Sequence, residues 1–300
     1  MSARLLCLGV AVEDYVFALP EMPKKPHKYR ATDFTTIGGG IAANAAVAIS
    51  RLGGTAFLAT RLGEDALGAS IVAELEAEGV DCRLARRFAG CRSSLSMVLV
   101  DATGERMIVN YRDPGLPEET DWLPEPAELG LAGILVDTRW TGGAATMLRR
   151  ARAAGLPGVL DVEPPVAPAT EAMAAATHLA FSRDGLAEWA GTEEIEEGLA
   201  VAAERTDAFL CVTDGADGTF FRKGAESGHV PAFEVEVVDT LAAGDVWHGA
   251  FALALAEGRD EVAALRFASA AAAIKCTGFG GRAAIPDRPQ VESFLMEHAA

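Results

Sequence analysis

Four short apolar runs, near Gly133–Asp137, Gly158–Asp161, His178–Phe181 and Phe209–Thr213, follow one another down the C-terminal half of this chain. Between and after them lie helical stretches near Gly143–Ala153, Gly185–Trp189 and Glu194–Glu204. A strand covered on both faces reads as a continuous apolar run, and joining it to a parallel neighbour takes a crossover of about a dozen residues, usually a helix. The alternation therefore predicts an α/β fold, a doubly wound and mostly parallel sheet flanked by helices.

The N-terminal half adds a second component. Leu5–Val12 is a continuous apolar run, as expected of a first buried strand. Residues 13–36 then turn polar and carry Pro20, Pro23 and Pro26, with alternation near Lys28–Phe34. That is too long for a plain loop in a compact domain. Gly38–Gly40 leads into an Ala-rich helix over Ile41–Leu52, Thr55–Ala59 reads as a strand, and Ala66–Glu78 as an amphipathic helix closed by Gly79. Ser93–Asp101 and Arg106–Tyr111 alternate around an Asp101-Ala102-Thr103-Gly104 turn and predict a hairpin. Segments 13–37 and 92–111 are expected to form a small β-sheet lid on a single domain spanning 1–300. Such a lid would lie over the C-terminal edge of the large sheet, where open α/β sheets bind ligands.

Composition removes several function classes. Forty-three acidic residues against 26 basic ones, a net charge of −17, argue against a general surface for nucleic acid or for an anionic membrane. A small anionic ligand stays allowed, because a few Arg, Lys and backbone N–H groups act locally. The 5 cysteines form no C-x-x-C pair and read as reduced thiols of a cytoplasmic protein. Met1–Val10 lacks a signal-peptide layout, and no apolar run reaches membrane-spanning length.

The segment Asp239-Thr240-Leu241-Ala242-Ala243-Gly244-Asp245-Val246-Trp247-His248-Gly249-Ala250 carries the chemistry. It follows an alternating run over Phe233–Val238, expected to be extended, and opens a helical run ending near Glu257. Three small residues leave N–H groups uncovered at a helix start, where the unpaired donors and the helix dipole both favour an anion. An aspartate in that turn would compete with the anion unless it takes a proton from the group that attacks it. An anion cradle beside a base is the minimum equipment for phosphoryl transfer to a hydroxyl. The bland alternative is an N-cap aspartate in an ordinary Gly-Asp turn.

A second glycine cluster invites a different reading. Gly38, Gly40 and Ala43 fit G-x-G-x-x-A, with Glu64 and Asp65 downstream, as in dinucleotide-binding folds. The polar stretch that separates it from the first strand makes that context poor. Together with Asn44, Arg51-Leu52-Gly53 and Gly63-x-Asp65-x-x-Gly68, the cluster instead resembles the N-terminal signature of the ribokinase-like PfkB carbohydrate kinases. The cradle resembles that family's C-terminal signature, in its variant with Ala at the first cradle position. Val212-Thr213-Asp214-Gly215-x-x-Gly218 resembles its nucleotide-side motif, and the resemblance covers most of the chain.

The resemblance implies a ribokinase-like fold, ATP and Mg²⁺ as cofactors, and roles for named residues. Asp245 would be the base, and the N–H groups of Ala242, Ala243 and Gly244 the cradle. Asp14, Gly39, Gly40 and Asn44 would hold sugar hydroxyls, and Thr213, Gly215 and Gly218 the nucleotide. Asp239, Leu241 and Gly278–Arg282 match a region that in many relatives supplies oxygens to a monovalent cation, which would be K⁺. Many relatives carry Asn-x-x-Glu to place Mg²⁺ through water; Ser182-Arg183-Asp184-Gly185 stands here instead, leaving Asp161 as a candidate contact.

Lys28, Asn110 and Arg139 are the polar groups expected between lid and sheet, a suitable cage for an anionic group. The stretches Ile108–Tyr111, Asp137–Trp140, Lys275–Thr277 and Arg282–Asp287 look most like the sulfofructose kinase branch, which phosphorylates O1 of 6-deoxy-6-sulfofructose. The alternatives are a kinase for ribose, fructose, 2-keto-3-deoxygluconate or a nucleoside, and a sugar- or nucleotide-sensing protein that has lost turnover. The partners implied are a small sugar and ATP, without nucleic acid or membrane. Exposed edge strands of the lid lead us to expect a homodimer.

Overall fold

The computed structural model describes residues 2–103 and 105–298. Gly104, in the expected turn at 101–104, lies outside them, as do Met1 and residues 299–300. In chain order the elements are β1 (Arg4–Leu8), β2 (Val12–Leu19), β3 (Asp33–Gly39), α1 (Ile41–Arg51), β4 (Thr55–Gly63), α2 (Ala66–Ala77), β5 (Asp81–Phe88), β6 (Leu95–Asp101) and β7 (Arg106–Tyr111). There follow α3 (Pro126–Leu129), β8 (Gly133–Val136), α4 (Thr141–Ala153), β9 (Gly158–Val162), α5 (Thr170–Ala175), β10 (His178–Ser182), α6 (Arg183–Ala190), α7 (Ile195–Ala203) and β11 (Phe209–Thr213). A hairpin, β12 (Thr219–Lys223) and β13 (Glu226–Val230), precedes α8 (Ala243–Ala256), α9 (Glu261–Cys276) and α10 (Arg288–Glu297).

Nine strands form the large sheet in the order β13-β12-β11-β10-β9-β8-β1-β4-β5. Every pairing from β11 to β5 is parallel, and β12 alone runs antiparallel, to β11 on one side and β13 on the other. Helices cover both faces, with α1, α8 and α9 in one apolar core and α4, α5, α6 and α7 in the other. The expected doubly wound architecture is present, and so is a separate small sheet ordered β3-β2-β6-β7. Among the described residues no helix is long and apolar enough to cross a membrane.

Local sequence explains how the central helices are set. α8 is a run of small and apolar residues buried along nearly its whole length between α1 and α9. A Cβ on Gly249 would come 2.6 Å from the Ala45 carbonyl, so glycine is what lets α1 and α8 touch backbone to backbone. Asp260 caps α9 by accepting the Ala263 N–H at 2.8 Å. Asp287 and Gln290 form a capping box on α10.

Two expectations need correction. The apolar run 5–12 is not one strand: β1 ends at Leu8, the chain crosses between sheets over residues 9–11, and β2 starts at Val12. Hydrophobicity is continuous across that crossing because both sheets bury it, so the run carries no boundary signal. The alternating segment 233–238 is irregular and not a strand. Its Phe233, Val235 and Val237 line a cavity, and the alternation has that cause instead of a sheet face.

Candidate active site

Two cavities open along the C-terminal ends of the parallel strands, and the start of α8 separates them. One, of about 440 Å³, lies between the small sheet and the large one. Asp14, Gly40, Asn44, Asn110, Arg139, Ala242 and Asp245 all border it. The other, of about 560 Å³, is bordered by Thr213, Gly215, Gly218, Ala243 and Gly244. Its walls are largely apolar, from Phe233, Val235, Val237, Trp247, Ala272 and Ala273.

The turn between the cavities is unusual in its backbone. Ala242 adopts the left-handed conformation at φ 64°, alone among the described non-glycine residues. An alanine there costs about 1–2 kcal/mol relative to a right-handed one, and such strain concentrates at functional sites. No side chain caps the N-terminus of α8. The Ala243 N–H is spent on the Thr240 carbonyl at 3.1 Å. Thus of the three expected cradle donors, Ala242 and Gly244 keep theirs uncommitted among the described residues, and Ala243 closes the turn that presents them.

Asp245 lies in the first turn of α8 and is held by its neighbours. The Asn44 amide donates to its Oδ2 at 2.7 Å, and Asn44 Oδ1 accepts from Arg282 Nε at 2.7 Å. Arg282 also bonds Glu74 at 3.0 Å and the Gly39 carbonyl at 2.9 Å. Burial, reinforced by the charges of Asp161 and Glu163, pushes the Asp245 carboxyl up to about 8, while the Asn44 bond and His248 pull the other way. His248, one turn along the helix, places Nδ1 3.0 Å from Asp161 Oδ2, although neither group has an aligned hydrogen bond. Burial alone would lower that imidazole, but Asp161, Asp245 and Glu163 hold it above its usual value.

The glycine cluster serves packing as much as ligand approach. At Gly40, with φ 98°, a Cβ would come 2.5 Å from the Val10 carbonyl, so only glycine lets α1 start against the sheet crossing. Gly39 does not border the cavity; its carbonyl accepts from Arg282. Asp65 caps α2 through Gly68 and ties in Ser93, just before β6 of the small sheet. Asp14 borders the cavity with its carboxyl raised by burial, partly offset by Ser96 and Arg282.

The expected anion cage is rearranged. Asn110 and Arg139 border the first cavity, but Lys28 stands exposed in the loop between β2 and β3 and does not. Arg139 pairs with Glu163 at 3.1 Å and bonds the Pro164 carbonyl at 2.8 Å. Arg61, beneath the cavity floor, pairs with Glu118 and lies 4.6 Å over the Trp140 ring. Arg112, next but one to Asn110, also borders the cavity and has no acidic partner within salt-bridge distance among the described residues. Partial burial and the nearby Arg139 and Arg61 charges lower its proton affinity. Sequence reasoning missed Arg112; its two-residue offset from Asn110, on the same face if the strand continued, was the available signal.

Asp239 and Leu241, expected beside a monovalent cation, meet the Gly280–Gly281 turn. The Asp239 carboxylate accepts the N–H groups of Leu241, Gly280 and Gly281 at 2.9, 3.1 and 3.4 Å, and pairs with Arg106 of β7 at 2.7 Å. Burial alone would raise this carboxyl, yet those N–H groups and Lys275 hold it below its usual value.

The chain is similar to known proteins over nearly its whole length. A family model described as "pfkB family carbohydrate kinase" matches residues 2–288. The ribokinase of Bacillus subtilis (strain 168) is 30% identical over 296 residues, covering 97% of this chain and 99% of its own. The crystal structure of an Agrobacterium tumefaciens protein proposed to be a ribokinase superposes with a TM-score of 0.93 at 36% identity, over 100% of this chain and 99% of that one. The structure of an Arabidopsis thaliana ribokinase complexed with ribose and ATP gives 0.88 at 25% identity, over 98% and 99%.

Proposed function

The chain belongs to the pfkB family of carbohydrate kinases, and from that premise we propose that it transfers the γ-phosphoryl group of ATP to a primary hydroxyl of an anionic sugar, O1 of 6-deoxy-6-sulfofructose. That it is a sugar kinase, a phosphotransferase with an alcohol acceptor, follows from the family. The strained turn at Ala242–Gly244, between a polar cavity and an apolar one, supports phosphoryl transfer, and the observation that supports the anionic sugar is Arg112, which borders the polar cavity without an acidic partner among the described residues. The sugar takes the polar cavity, with Asp14 and Asn44 at its hydroxyls and Asn110, Arg112 and Arg139 at its anionic end. ATP takes the apolar cavity, with its base against the aliphatic wall and its phosphates reaching the turn past Thr213, Gly215 and Gly218.

Asp245 accepts the proton of the attacking hydroxyl, and the N–H groups of the cradle meet the charge that grows on the transferred group. Magnesium would be reached only through water, from Asp161 and Glu163 at the end of β9: Asp161 is buried against His248, Glu163 pairs with Arg139, and neither borders either of the two cavities. When bound it would screen the phosphate charges. We place the reaction in the cytoplasm, where free thiols such as the five here persist. We also propose a homodimer through the small sheet, whose outer face exposes Phe34, Met107 and Val109.

ADP release from MgATP is the test, measured over 6-deoxy-6-sulfofructose, fructose, ribose, 2-keto-3-deoxygluconate and adenosine. Preference for the sulfosugar supports the anionic reading. Preference for ribose, which the relatives' names favour, keeps Asp245 as base and discards the anion end. Silence with ATP still bound would point to a binding protein without turnover. Asp245→Asn is expected to lower kcat by about 10²–10⁴-fold with the fold intact; unchanged turnover would refute its role.

A further inference from the structure

We infer that the ammonium group of Lys275 occupies the place where the family resemblance puts a monovalent cation, so that phosphoryl transfer by this chain requires no dissolved potassium. Lys275 lies in the last turn of α9 and is completely buried. Its Nζ donates to the Asp239 carbonyl at 2.6 Å and stands 3.5 Å from Asp239 Oδ2. A potassium ion is held by several oxygens that replace its water shell. Here the Asp239 carbonyl is spent on Lys275, and its carboxylate already receives three backbone N–H groups and the Arg106 guanidinium. Asp239, the charged member of the expected donor set, thus does not fit a further cation, which would also face two fixed positive charges.

The resident ammonium is placed to do an ion's work. Asp239 begins the loop that runs through the cradle, with Leu241 and Ala242 facing the sugar-side cavity and Thr240, Ala243 and Gly244 the other. A positive charge bound to the Asp239 carbonyl fixes that loop and adds favourable potential behind the point where phosphoryl charge grows. The carbonyl end of α9 stabilises the same charge. A buried lysine needs such partners to be retained.

This inference does not depend on which sugar is the substrate. Wild type, K275A and K275R would be assayed with 6-deoxy-6-sulfofructose and MgATP, and their thermal midpoints measured without substrate. Each series is titrated with KCl, and separately with NH4Cl, against tetramethylammonium chloride at constant ionic strength. Wild type is expected to give flat rates and flat midpoints. K275A is expected to lose at least about tenfold in rate, less than removal of a direct donor costs, and to regain it with potassium or ammonium, its midpoint rising alongside. Wild-type activation or stabilisation by potassium would overturn the inference. So would a folded K275A that is slow and indifferent to both ions, since Lys275 would then serve packing alone. If K275A does not fold, the wild-type titrations and K275R decide. If the sulfosugar is not turned over, the midpoint series still reads, which separates this inference from the substrate assignment.

Discussion

Asp245 must be ionised before it can take a proton, and its surroundings decide at what pH that happens. With the carboxyl held near about 8 by burial and by Asp161 and Glu163, kcat/KM is expected to climb about tenfold per pH unit and level off above about 8. A profile already flat below 6, where about two units of that climb should remain, would show that another group limits the rate. The same shift has a stability consequence of opposite sign. The unfolded carboxyl titrates near 3.8 and the folded one near 8, so its contribution favours the native state at low pH and is lost as pH rises through the folded value. Asp245→Asn should therefore raise the thermal midpoint at alkaline pH and leave it nearly unchanged below the unfolded value. Among single residues, the sequence made legible those placed at the cavities by the backbone: Gly40 and Ala242, with Asp245 beside them, at one cavity and Gly244 at the other. It did not make legible long side chains whose heads travel. Lys28 extends into solvent, while Arg112 reaches the cavity from a position that carries no motif.

At the scale of elements, Arg282 joins pieces far apart in sequence. From the short turn after α9 it reaches Glu74 on α2, Gly39 at the end of β3 and Asn44 on α1, and through Asn44 it fixes Asp245 on α8. Asn44 is therefore a brace for the base as well as a cavity wall. Arg282→Met should destabilise the protein by about 3 kcal/mol, because buried acceptors lose their donors. It should also lower kcat about tenfold or more by releasing Asp245 from its set orientation. Arg282→Lys should restore little, since one ammonium cannot supply three N–H groups in a fixed plane. Full activity in Arg282→Lys, measured beside its unfolding midpoint, would refute the brace. The strand–helix repeats over β8 to β11 were readable because each strand is buried on both faces. The crossing at 9–11 and the irregular 233–238 were not, because hydrophobicity registers burial without saying against which surface.

At the scale of the whole molecule, the small sheet presents an outer face with Val109 54% and Met107 42% exposed, on the edge strand β7. If that face pairs with its copy, wild type will sediment as a dimer and Val109→Asp as a monomer with its fold retained. A monomeric wild type would end that proposal. The strand that offers this face also sends Arg106 to Asp239 at 2.7 Å. One carboxylate thus belongs at once to the small sheet and to the loop that shapes the cradle. The two bodies are consequently geared together. A small sheet that swings away either breaks that ion pair or drags the loop with it, so opening the first cavity is coupled to the cradle for as long as the pair holds.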